Sequence, residues 1–368
     1  MEATKDCSKD VPACRQLVVK PLNGIRVLDL TRLLPGAVAT QQLLEWGAEV
    51  IKIEQPGLGD YGRTMNSAVF ARTNGGKKSV SVDLKHPRGR EVMLTLVTDA
   101  DILVEGFRPG VMARLGLSYS DLCARNERLI YVSVTGYGQS GPYAGLAGHD
   151  VNYIALGGLL SMNLPIIPGV QIADLVGGSL QAVIETLLAL EARRQTGKGQ
   201  HVDVSMYAGV KSLLTVPLAL YFETGREARA GGEPLSGAYA CYNIYSTKDG
   251  RWLAVGALEP KFWIELCRQL HCEEFIPLQF ASDEIQAVMK SRLSEILLRE
   301  TAAAWVEKLR DFDCCVTLVR SIGEVAEELP RREGPSAPKL GEHTREVLLR
   351  CGISDADLGD LERQRVIA

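Results

Sequence analysis

Ile25-Arg26-Val27-Leu28-Asp29-Leu30, the stretch 37–46, and Glu49-Val50-Ile51-Lys52-Ile53-Glu54 decide the fold. The first and last runs are short and rich in Val, Ile and Leu, as strands are. Leu33-Leu34-Pro35-Gly36 breaks the first run. The stretch between them reads as a helix ended by Gly47, and Gln55-Pro56-Gly57 closes the second strand. Strand, helix and strand within about 30 residues form a β-α-β unit, which favours a parallel sheet.

The same texture continues. Residues 79–84, 102–105 and 129–134 read as strands, and 87–100 as a helix with Pro87 near its start. The span 20–135 therefore alternates strand and helix as a doubly wound α/β fold does. A strongly apolar helix at 177–194, a strand at 201–204 and an apolar helix at 205–222 follow. The Gly-, Arg- and Glu-rich stretch 226–234 reads as a linker. Beyond it, Tyr242-Asn243-Ile244-Tyr245-Ser246-Thr247 and Arg251-Trp252-Leu253-Ala254-Val255 form a hairpin around Lys248-Asp249-Gly250. Helical patterns at 260–271 and 283–311 complete a smaller α+β domain. The Pro-rich stretch 329–342 reads as a return linker, bringing the helix 343–351 and the tail back to the first domain. The expected organisation is a flexible extension at 1–19, a large domain at 20–225 completed by 330–368, and a small domain at 226–329.

Of the 368 residues, 46% are hydrophobic and 23% charged, and the net charge is −4. This is a globular composition, and its charge does not favour nucleic acid or an anionic membrane as partner. Nine cysteines, an odd number without Cys-x-x-Cys, argue against a zinc site or a disulfide framework. No apolar run approaches the ~18–20 residues of a membrane span, and residues 1–20 are charged throughout, unlike a secretory signal. The C-terminal Val366-Ile367-Ala368 is not a common peroxisomal tripeptide. The expectation is an intracellular, cytoplasmic protein, with an organelle left open.

The turn Thr31-Arg32-Leu33-Leu34-Pro35-Gly36 lacks Gly-x-Gly-x-x-Gly, so a dinucleotide site is poorly supported. The chemistry falls instead on Gly148-His149-Asp150 and Ala173-Asp174-Leu175. Asp150 and Asp174 each precede or open an apolar helix, where a carboxylate also serves as an N-cap. As a pair, His149 and Asp174 are the groups a proton exchange needs at a carbon beside a carbonyl, one removing the proton and one returning it. Lys77, Lys78, Lys85, Arg88 and Arg90 form the densest basic stretch, a solvated surface or a place for phosphates.

Several motifs together resemble the family III CoA-transferase superfamily. They are Gly24-Ile25-Arg26-Val27-Leu28-Asp29-Leu30, Ser81-Val82-Asp83-Leu84-Lys85, Glu105-Gly106-Phe107-Arg108-Pro109-Gly110, Gly136-Tyr137-Gly138-Gln139-Ser140-Gly141 and Leu340-Gly341-Glu342-His343-Thr344-Arg345-Glu346. Gly148-His149-Asp150-Val151-Asn152-Tyr153 and Ala254-Val255-Gly256-Ala257-Leu258-Glu259-Pro260 are similar to its α-methylacyl-CoA racemase branch. The resemblance implies a Rossmann-like large domain, a small domain and an interlocked homodimer. It implies His149 and Asp174 as the acid/base pair, with Glu259 contacting the His149 ring. It assigns CoA contacts to Val82, Asp83, Leu84, Lys85, Arg108, Gly148, Asp150, Val151, Asn152 and Tyr153. Where the racemases often carry an Arg, this chain has Gln55, so that contact falls to Gln55 or moves to Lys52. The segment between His149 and Asp174 is also a few residues short, and it shapes the acyl pocket.

The implied activity is racemisation of 2-methylacyl-CoA thioesters through an enolate, with no metal and no cofactor beyond the CoA moiety of the substrate. The alternative is CoA transfer between carboxylic acids with Asp174 as nucleophile. Family transferases tend to carry an aromatic at the position of His149, so His149 and Glu259 favour the racemase.

Overall fold

A computed structural model describes residues 19–329 and 335–368. The extension expected at 1–19 lies outside the described residues except for Val19, as does the 330–334 stretch of the return linker. The described residues form two compact units, one comprising 19–153, 171–210 and 335–368, the other 154–170 and 211–329.

The large unit is built on a six-stranded parallel sheet of β1 (Arg26–Leu30), β2 (Glu49–Glu54), β3 (Lys78–Ser81), β4 (Ile102–Glu105), β5 (Ile130–Thr135) and β6 (His201–Ser205). The spatial order is β3-β2-β1-β4-β5-β6. Strand order therefore reverses between β1 and β4, where doubly wound sheets open a crevice at their carboxyl ends. Both faces are covered, which explains the near-continuous apolar strands. Leu28, Leu30, Ile51, Ile53 and Val80 pack on one face with Met93, Leu96, Val347 and Leu358. Val27, Val50, Ile102, Val104 and Val132 pack on the other with Leu43, Ala182 and Leu190. Each fully buried side chain of this kind contributes about 1.5–3 kcal/mol.

The strand expected at 79–84 ends at Ser81 because the C-terminal segment takes over its pairing. Val82 bridges Ile367, and the Asp83 N–H donates to Val366 O at 2.8 Å. Thr344 Oγ1 accepts the Ser81 N–H at 3.0 Å. The edge of the sheet is thereby covered, one of the ways proteins blunt an open edge.

Among the described residues one helix, Ala173–Thr196, is long and apolar enough to cross a membrane by length and composition. Glu185 interrupts its apolar run, and Ala182, Thr186, Ala189 and Leu190 are buried within the large unit. Its first turns, Ala173–Leu180, are π-helical. Packing there is close: a Cβ on Gly177 would stand 2.6 Å from Met206 O, so only glycine fits at that position.

In the second unit β7 (Tyr242–Ser246), β8 (Trp252–Gly256) and β9 (Val316–Leu318) form an antiparallel sheet. Helices Pro260–Gln269, Asp283–Leu297 and Ala302–Leu309 pack with it around Trp263, Leu266, Met289, Leu293 and Trp305. The helical pattern read at 283–311 is two helices, because Thr301 caps the second by accepting the Ala304 N–H at 3.2 Å. The α/β plus α+β architecture expected from the sequence is the one observed.

Candidate active site

The floor of the crevice is fixed by buried charge. Asp29, on β1, accepts from the Thr31 N–H and hydroxyl at 2.9 and 2.6 Å and from the Thr40 hydroxyl at 2.7 Å. Lys77 Nζ lies 3.0 Å from Asp29 Oδ2, and Lys52 Nζ lies 2.9 Å from both Asp60 Oδ2 and Thr31 O. Burial alone would raise the Asp29 carboxyl, but the two ammonium groups and the two hydroxyls hold it well below the usual carboxylate range. The loop leaving β1 is pinned by this network. It carries Leu33 at φ +60, a left-handed conformation uncommon for leucine, with its N–H held by Asp60 Oδ1 at 3.1 Å.

The acid/base candidates sit on two helix starts. His149 directly precedes the helix Asp150–Leu156 and is exposed. Its backbone is fixed at both ends: its N–H donates to Asn152 Oδ1 at 3.1 Å, and its carbonyl accepts from the Asn152 N–H at 2.8 Å. Asp174 lies in the first turn of the π-helix, and its N–H donates to Asp150 Oδ1 at 3.0 Å. That bond ties the two candidate segments together. Burial pushes the Asp174 carboxyl up, the Asp150 carboxylate pushes it further and His149 partly offsets them, leaving it at about 6. A carboxyl near 6 can both give and take a proton close to neutrality.

Tyr153 forms the wall beside them. Its hydroxyl donates to Gly148 O at 2.5 Å. Its ring occupies the space a Cβ would need at Gly136 and Gly148, with contacts of 2.4 and 2.7 Å. Gly136 and Gly148 are thus packing requirements. Burial, followed by the Asp174 carboxylate, raises the Tyr153 phenol to about 12, so it acts as a hydrogen-bond donor and not as an acid.

A cavity of about 600 Å³ opens at the switch point. Its wall takes in Arg32, Tyr61, Phe107, Arg108, His149 and Tyr153, and also Gly148 and Asn152. Of the residues expected to hold CoA, then, the cavity gathers Arg108, Gly148, Asn152 and Tyr153. Lys52 is corrected: it is 0% exposed, its ammonium spent on Asp60, Thr31 and Asp29, so it reaches no ligand phosphate. Val82 is off the cavity wall, its side chain buried in the sheet core and its N–H on Glu54 O at 2.8 Å. Gln55, Asp83, Leu84, Lys85 and Val151 lie off the cavity wall. Asp83 turns inward on its own loop, accepting the Lys85 N–H at 3.0 Å. Asp150 is also off the wall, engaged with Asp174. Glu259 belongs to the second unit, where it is exposed and precedes the helix Pro260–Gln269.

Sequence reasoning missed two residues. Arg32 stood inside a turn examined only for glycines. Glu105 stood inside a quoted motif without being singled out; it is buried, accepts the Phe107 N–H at 2.8 Å, and burial pushes its carboxyl to about 7. It ends β4 and anchors the loop bearing Phe107 and Arg108.

The family model for CoA-transferase family III matches residues 22–344. The human α-methylacyl-CoA racemase is 33% identical over 94% of this chain and 97% of its own length. The succinyl-CoA–D-citramalate CoA-transferase of Chloroflexus aurantiacus is 31% identical over 95% of this chain and 98% of its own. A CAIB/BAIF family protein from Brucella suis has a crystal structure that superposes with a TM-score of 0.77 at 27% identity, covering 90% of this chain and 99% of that one. The chain belongs to CoA-transferase family III, an enzyme family with racemase and CoA-transferase members.

Proposed function

We propose that this family III member interconverts the two configurations at C2 of 2-methylacyl-CoA thioesters. The observation that carries the reading is the pairing of His149, on the cavity wall, with an Asp174 carboxyl held near 6. The thioester carbonyl acidifies the α-hydrogen. One of the two groups takes that proton, the electron pair moves onto the carbonyl oxygen as an enolate, and the other group delivers a proton to the opposite face of C2. Each group ends with the other's protonation state, so proton exchange with solvent restores the pair. The Asp150 bond to the Asp174 N–H keeps the carboxyl on its helix turn, and Tyr153 fixes the Gly148 carbonyl before His149.

What supports Glu259 as the partner of the His149 ring is its Gly256-Ala257-Leu258-Glu259-Pro260 setting. A homodimer is supported by the exposed apolar side chains Ile184, Leu187 and Leu188 on the helix Gln181–Thr196. The free cysteines fit a reducing, intracellular compartment, the cytoplasm being the reading we adopt. Reaction balance calls for no cofactor beyond the CoA of the substrate.

CoA transfer is the competing reading, and it has an observation of its own: a relative at 31% identity over nearly the whole chain is named as such an enzyme. There Asp174 attacks the thioester carbonyl and CoA thiolate leaves, forming an acyl anhydride. Incubation with one enantiomer of a 2-methylacyl-CoA in D2O, without a second carboxylic acid, separates the two. Racemisation gives α-deuterium and loss of configuration, and His149→Ala lowers both by about a hundredfold or more. No deuteration across several acyl chains, with an Asp174-bound thioester trapped and turnover dependent on an acceptor acid, establishes transfer instead.

A further inference from the structure

Among the described residues that line the cavity, two carry guanidinium groups, Arg32 and Arg108, and none is Asp or Glu, Asp174 standing off the wall. In a chain of net charge −4 this local excess of positive charge is a property of the site and not of the surface at large. Arg32 is also held in place. Its Nη1 donates to Tyr61 Oη at 3.1 Å, and its Cζ lies 5.0 Å from the Tyr61 ring centre and 5.3 Å from that of Phe107. Ring faces attract a guanidinium but do not neutralise it. The loop beneath is fixed by Lys52 on Thr31 O and by Asp60 on the Leu33 N–H, and Phe107 is fixed through its N–H to Glu105. A planar fork of donors, kept charged and immobilised at the mouth of a cavity, matches phosphate and carboxylate oxygens.

We propose that Arg32, positioned by Tyr61 and Phe107, binds an anionic group of the ligand in this cavity, either a phosphate of the CoA moiety or a carboxylate carried on the acyl chain. This rests on the reading of the ligand as a CoA thioester. It makes Arg32 a specificity residue additional to the acid/base pair.

The test is calorimetric titration of the full chain and its Arg32→Gln and Arg32→Lys variants with three probes: CoA, glutaryl-pantetheine and pentanoyl-pantetheine. The last two lack the nucleotide phosphates and differ in one terminal carboxylate. Loss of a charged hydrogen bond weakens binding about tenfold. If Arg32→Gln weakens CoA tenfold and leaves both pantetheine thioesters unchanged, the anion is a phosphate. If it weakens glutaryl-pantetheine tenfold relative to pentanoyl-pantetheine, the anion is an acyl carboxylate. Equal affinities of wild type and Arg32→Gln for all three probes overturn the proposal. Should Arg32→Gln fail to fold, Arg32→Lys decides, since it keeps the charge but loses the planar fork; affinities unchanged there overturn the proposal. A wild type that binds none of the probes refutes the thioester reading. Inorganic pyrophosphate then tests Arg32 alone, tenfold weaker binding in the variant supporting it and equal or absent binding overturning it.

Discussion

Asp29 is more deeply buried than Asp174, yet Asp29 is the stronger acid. Burial pushes both carboxyls up, and neighbours decide the outcome. Around Asp29 stand Lys52, Lys77 and two threonine hydroxyls, so its charge is matched at every oxygen. Beside Asp174 stands another carboxylate, which accepts the Asp174 N–H at 3.0 Å. The first arrangement lowers energy and belongs to the scaffold. The second raises it and keeps a proton exchangeable, which is how a titratable site differs from a structural one. Lys52 and Arg32 repeat the contrast among cations: one is locked between carboxylates below the crevice, the other faces the cavity.

The largest expected effect breaks the site side of this comparison. Asp174→Asn lowers turnover about a thousandfold, some 4 kcal/mol of transition-state stabilisation, measured as α-deuteration of a 2-methylacyl-CoA. It also changes stability with a definite sign. The folded carboxyl binds its proton more tightly than the unfolded one, so wild-type stability falls as pH rises from about 4 to 6. Discounted for the partial exposure of Asp174, the variant is about 1 kcal/mol more stable than wild type at pH 7. In urea unfolding that gain vanishes at pH 4. Equal stabilities at pH 7 would mean that the site is not strained.

Next comes the scaffold side. Asp29→Ala leaves Lys77 and Lys52 buried without their shared carboxylate and costs about 3 kcal/mol, read from the urea midpoint at pH 7. Here the sign of the pH dependence is opposite. The stabilisation from Asp29 is fully present above the unfolded carboxylate range and is lost only as pH falls below it, towards the depressed folded value. The two aspartates therefore separate by sign at pH 7, where one variant gains and the other loses, and by window: the gain disappears between about pH 6 and 4, the loss only below about pH 4.

That division was only partly legible in the sequence. The strands around Val27–Leu30 and Val50–Ile53 announced themselves because parallel strands buried on both faces are continuously apolar. The hairpin was given by Lys248-Asp249-Gly250, with Gly250 at φ +74 and the Thr247 hydroxyl on Asp249 at 2.6 Å. His149 and Asp174 were found because short motifs accompany them. Lys52 was misread because a lysine within a strand looks the same whether it points to solvent or to Asp60, and that choice depends on a loop eight residues further on. Arg32 and Glu105 escaped for the same reason: what marks them is the company brought by β4 and the Tyr61 loop, not their local pattern. Periodicity reports burial of a face, whereas pairing of charges is settled by tertiary contact.

The smallest effect is the most discriminating. Asp150→Asn removes one negative charge but keeps a side-chain oxygen that can accept the Asp174 N–H. If Asp150 acted only by holding that N–H, the substitution would change little. If its charge sets the Asp174 carboxyl, removing it lets that carboxyl ionise at lower pH, since a like charge disfavours the ionised form. Where Asp174 is the base, activity falls as pH drops through about 6 in wild type. In the variant the acid limb moves to lower pH, with plateau turnover reduced only a few-fold, about 1 kcal/mol. In the direction where Asp174 donates the proton, the limb on the alkaline side moves the same way, and the optimum narrows from above. A pH profile measured from each enantiomer separates these two limbs. Profiles that coincide with wild type would show that burial alone holds Asp174 up, and that the contrast with Asp29 comes from missing cations and not from an added carboxylate.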